Sequence, residues 1–82
     1  MNERAMTREE LIAWATQNGW TLDRHGHLHK IEHDGLRHYR IKLSRLAARF
    51  EIKAVHGWTR VRSGYLKDLY LTADGKLAGM KF

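Results

Sequence analysis

The chain of 82 residues contains no cysteine and no proline. Without cysteine there is no disulfide framework and no thiolate for zinc binding or nucleophilic attack. Without proline, every strand-length segment is free to pair centrally in a sheet. No apolar run exceeds five residues, far short of the roughly 20 that a membrane-spanning helix needs. The start Met1-Asn2-Glu3-Arg4 has no apolar signal region. These absences give the expectation of a soluble cytoplasmic protein with no membrane association. The length suits a single domain, 1–82, with one modest core.

Acid is scarce where base is dense. Between Leu36 and Lys67 nine Lys or Arg face a single acid, Glu51, a net of +8, while residues 1–35 sum to −2 and 68–82 to zero. Positive charge gathered in one stretch creates a local field that concentrates polyanions.

A helix start is marked at Thr7, where Glu10 three residues later completes a capping box and Met6 and Leu11 occupy the staple positions. Leu11, Ile12 and Ala15 form an apolar stripe with Trp14 at its edge, and Asn18-Gly19 supplies a left-handed stop. Turn pairs such as His25-Gly26, Asp34-Gly35, His56-Gly57, Ser63-Gly64 and Asp74-Gly75 then cut the chain into strand-length runs. In the clearest, Arg45 to Val55, Leu46, Ala48, Phe50, Ile52 and Ala54 alternate with polar positions, so Phe50 and Ile52 are expected in the core. The same stretch also fits a helix capped by Ser44, but the unbroken alternation favours the strand. Leu36 to Leu43 alternates similarly, with Tyr39, Ile41 and Leu43 opposite His38, Arg40 and Lys42. Weaker strands are expected at Trp20 to Arg24, His27 to Glu32, Trp58 to Arg62, Leu66 to Thr72 and Lys76 to Lys81. The fold class is α+β: one N-terminal helix packed on a mostly antiparallel, curved β-meander or small half-open barrel.

Alternation assigns His38, Arg40 and Lys42 to the outer face of one strand, Arg45, Arg49 and Lys53 to that of the next, and Arg60 and Arg62 beside Trp58 to a third. Neighbouring strands lie about 4.8 Å apart and same-face residues about 6.6 to 7 Å apart, so several cations can reach one phosphate backbone. Guanidinium groups bind phosphate bidentately and stack on bases. Trp58, with Tyr65 as a second choice, is the stacking candidate. A purely solubilising face normally mixes signs.

The histidines His25, His27, His29 and His33 lack a Cys or well-placed carboxylate to complete a metal set. Ser44 and Ser63 sit in no nucleophile motif, and there is no Gly-rich phosphate loop. No metal, cofactor or catalytic residue is expected, and no motif specifies an oligomeric state.

Leu11 to Gly19, Trp20 to Arg24 and Gly26-His27-Leu28-His29 run in an order that resembles the HicA family of small toxin ribonucleases. That resemblance, over about a quarter of the chain, implies a fold like the double-stranded RNA-binding domain with a C-terminal helix. It also implies that His27 or His29 takes part in RNA cleavage. The residues themselves favour a non-enzymatic module that binds nucleic acid or a nucleoprotein complex through Arg40, Lys42, Arg45, Arg49, Lys53, Trp58, Arg60, Arg62 and Lys67. The alternative is a small phage or mobile-element inhibitor, anti-CRISPR-like, directed at a host nucleic-acid-handling protein.

Overall fold

The computed structural model describes residues 6–32 and 35–81. Met1 to Arg4, His33, Asp34 and the Asp34-Gly35 turn signal fall wholly or partly outside them. Helix α1 spans Arg8–Gln17, and the capping box forms as read, with the Thr7 hydroxyl accepting from the Glu10 N–H and the Glu10 carboxylate accepting from the Thr7 N–H. The staple residues Met6 and Leu11 are both buried. Asn18 is the C-cap and Gly19 follows at φ +90°, the left-handed geometry that stops a helix at least cost in glycine.

Strands β1 (Thr21–Leu22), β2 (Leu28–Glu32), β3 (Arg37–Leu43), β4 (Ala47–Ala54) and β5 (Gly57–Tyr65) form one antiparallel sheet in chain order. The sheet does not close on itself, so the molecule is an α+β fold with an open, curved meander. After β5 a 3-10 turn at Leu66–Asp68 leads into a small hairpin, β6 (Tyr70–Leu71) and β7 (Leu77–Ala78). The expected strand Leu66 to Thr72 is thus shortened to β6, and among the described residues no α-helix follows where a HicA-like fold would place one.

One face of the sheet is apolar. Leu28, Ile41, Leu43 and Ala48 are buried there with Leu11 and Ala15 of α1 and Leu69 of the C-terminal segment. The Trp14 indole N–H donates to the Gly75 carbonyl at 2.7 Å and ties α1 to the β6–β7 hairpin. Arg8 pins the helix start to two turns, donating to the Ser44 and Gly26 carbonyls, each at 3.3 Å.

Phe50 and Ile52 are only half-buried, contrary to expectation. A helix of 10 residues is about 15 Å long, whereas β4, with 8 residues, runs about 27 Å. The covering layer ends before the sheet does. Phe50 compensates by stacking on Tyr39 with centroids 5.4 Å apart and meeting Trp20 edge-on at 6.1 Å. Alternation places Leu46 on the apolar face, yet it is 67% exposed. The Ser44 hydroxyl accepts from the Ala47 N–H at 3.2 Å and closes a turn, leaving Arg45 and Leu46 at its tip rather than in a strand.

Candidate nucleic-acid interface

The opposite face of the sheet is the polar one. Register pairs His29 with Arg40, Lys42 with Arg49, Arg40 with Glu51, Glu51 with Arg60 and Lys53 with Trp58. Cross-strand partners share a face, so Arg40, Lys42, Arg49, Lys53, Trp58 and Arg60 stand together over β3, β4 and β5.

Three residues expected there stand elsewhere. The β4–β5 register slips between Phe50 and Glu51, where Phe50 pairs with Arg62 and Glu51 with Arg60. The bulge around Val61 therefore sends Arg62 to the face that carries Phe50. Arg45 sits in the β3–β4 turn, and Lys67 lies in the 3-10 turn with its ammonium 5.8 Å from the Tyr65 ring centroid.

Glu51 is the sole acid on β3, β4 and β5, and it is 4% exposed. Its Oε1 accepts from Arg40 Nε at 2.7 Å and lies 2.6 Å from an Arg40 terminal nitrogen, while Oε2 is 3.8 Å from Arg49. The carboxylate is spent beneath the cations. Five positive side chains over one carboxylate leave an excess of four charges on this face.

Trp58 is not an open platform. The Arg40 guanidinium carbon lies 4.2 Å from its ring centroid, the His38 ring abuts it edge-on at 4.8 Å, and the Lys53 ammonium is 5.9 Å away. Cation–π contact and half-burial make it the hub of an intramolecular cluster.

That cluster continues into a chain of polar groups. His29 Nε2 lies 2.7 Å from Asp23 Oδ2, and His29 Nδ1 lies 2.9 Å from His38 Nε2. With Nε2–H donated to Asp23, a neutral His29 accepts from His38, whereas a charged His29 donates to a neutral His38. Both rings cannot be charged while the contact stands, because each facing nitrogen would then carry a proton. Burial, followed by the fields of His29, Lys53 and Arg40, lowers the pKa of His38. The backbone N–H of His27 foremost, then the His29 ring and the His25 N–H, hold Asp23 far below the usual carboxylate range. His27 works differently: its Nδ1 accepts from the Leu43 N–H at 3.0 Å and fastens β3 to the β1–β2 turn. Burial keeps its pKa low as well. Among the described residues no three His, Asp or Glu side chains converge as metal donors.

The sequence puts His38 on the outer face but names neither it nor Asp23 as a binding residue. The signal was present, since a hairpin between β2 and β3 puts His29 and His38 on one parity, but the register that joins them was not readable. No described helix is long and apolar enough to cross a membrane. No protein-family model, curated protein or solved structure matches this chain.

Proposed function

We propose that the protein is a non-enzymatic module that holds nucleic acid against the polar face of its sheet. The observation that carries this reading is the arrangement of Arg40, Lys42, Arg49, Lys53 and Arg60 on three adjacent strands, with their one acid buried among them. Strands β3, β4 and β5, whose only carboxylate is internal, present positive charge outward, and their spacing suits a run of phosphates rather than a single anion. Phosphate contacts of this kind position a backbone without reading its bases, so binding is independent of sequence.

Affinity capture with and without nuclease tests the reading. Loss of the captured partner after nuclease treatment supports it. A protein partner that persists after nuclease treatment, with no affinity for DNA or RNA at low salt, overturns it in favour of an inhibitor directed at a host protein. RNA degradation abolished by His29→Ala, with the fold intact, overturns it in favour of a ribonuclease.

A further inference from the structure

At the Tyr65 end of the sheet a half-open groove of about 500 Å³ is lined by Lys42, Ala47, Arg49, Ser63, Tyr65 and Lys81, among others. We infer that this groove seats one nucleotide of a single strand, with its base against Tyr65 and its phosphate between Lys42, Arg49 and Lys81. The inference rests on the nucleic-acid reading above and names where that surface contacts a base.

Two observations point to an anion. Lys42 and Arg49 are direct cross-strand partners, an arrangement of like charges that costs stability when nothing lies between them. Lys81 adds a third cation, held by paired backbone hydrogen bonds of 2.8 Å between its own N–H and carbonyl and those of Ser63. Of these three cations Glu51 reaches only Arg49, at 3.8 Å, and Asp68 is the one acid in the lining. A bound phosphate would relieve repulsion that the fold itself leaves in place.

A third observation concerns the base. Tyr65 is 59% exposed, with the Lys67 ammonium 5.8 Å from its ring centroid, so its ring is more open than that of Trp58, against which Arg40 lies at 4.2 Å. It pairs with Ala47, whose small side chain leaves the space beside the ring empty. The groove's wall depends on close backbone approach. A Cβ on Gly64 would lie 3.0 Å from the Gly79 carbonyl oxygen, and one on Gly79, at φ +103°, would run into the Asp68 carbonyl. A slot of this size takes an unpaired base, whereas the stacked bases of a duplex stay out of reach. The preferred occupant is therefore single-stranded.

The test is fluorescence anisotropy with a labelled thymidine decamer, a uridine decamer and a duplex of equal length. The single strands should bind more tightly than the duplex at matched salt. Tyr65→Ala should weaken single-strand binding by about 5- to 150-fold, the range of one lost base stack, and leave the salt dependence unchanged. Tyr65→Phe should retain affinity, and Lys81→Gln should flatten the salt dependence by somewhat less than one unit. Because Tyr65 is exposed, its variants should melt with the wild type. Wild-type binding that is unaffected by Tyr65→Ala, or a preference for duplex, overturns the groove while leaving the basic face intact. Absence of binding to all three probes overturns the nucleic-acid reading itself.

Discussion

Glu51→Ala is the substitution that separates the fold's needs from the surface's function. It leaves Arg40, whose side chain is only 18% exposed, facing the space where its carboxylate was. Breaking a buried pair by removing one partner costs about 3 to 5 kcal/mol, because the remaining charge stays desolvated. A domain of 82 residues has roughly 4 to 12 kcal/mol in total. The expected loss is thus a large share of the stability. With a urea dependence near 1 to 1.5 kcal/mol per molar, the unfolding midpoint should fall by about 2 to 5 M at unchanged slope. Glu51→Gln keeps the shape and one acceptor and should cost less, about 1 to 3 kcal/mol. It also raises the positive excess of the face by one, so its affinity for a phosphate backbone at low salt should increase. Stability and binding then move in opposite directions. A Glu51→Ala protein within about 1 kcal/mol of wild type would mean that the pair behaves as an exposed ion pair, and the picture of an acid spent beneath the cations would be wrong.

Other outcomes are expected alongside. Leu28→Ala removes a fully buried side chain and should cost about 2 to 5 kcal/mol, while Phe50→Ala, half-buried, should cost about 2 to 3, below most of the range of about 3 to 5 for a core phenylalanine; a loss above about 4 kcal/mol for Phe50→Ala in urea unfolding would refute the short covering layer. His27 and His38 have lowered pKa values in the fold, so near and below the unfolded value of 6.5 the unfolded chain binds more protons. Stability should therefore decline as pH falls from 7 to 5, and His27→Ala should flatten that decline; a rise in stability on acidification contradicts the assignment. Asp23, depressed in the fold, adds a further loss as pH falls through the carboxylate range. Gly79→Ala should lower the melting temperature and disturb the Ser63 and Lys81 amide resonances, since no Cβ fits against the Asp68 carbonyl; unchanged spectra would show that the wall tolerates it.

The elements legible in the sequence are those fixed by short-range chemistry. The capping box at Thr7 and Glu10 names its own helix, and the alternation in β3 and β4 names their faces. What escaped depends on partners distant in the chain. The bulge that turns Arg62 away is set by how β5 fits β4, and the half-burial of Phe50 by the length of a helix 33 residues earlier. Trp58 looks like a free aromatic until register brings Arg40 and His38 against it. Glu51 looks like one acid among many bases, and only pairing shows that its charge is consumed.

The central claim is that charge placed on this face, rather than net charge, holds the ligand. Lys53→Glu/Arg60→Glu and Arg37→Glu/Lys76→Glu change the net charge equally, but only the first pair belongs to the face. Single-strand affinity measured against salt compares them directly. The excess of four charges predicts a wild-type log–log slope of roughly −2.8, at about 0.7 per neutralised phosphate. The first double variant changes the face by four charges, so it should flatten the slope towards zero and lose most of the affinity, and the second should leave both nearly unchanged. Equal losses in the two would contradict the account.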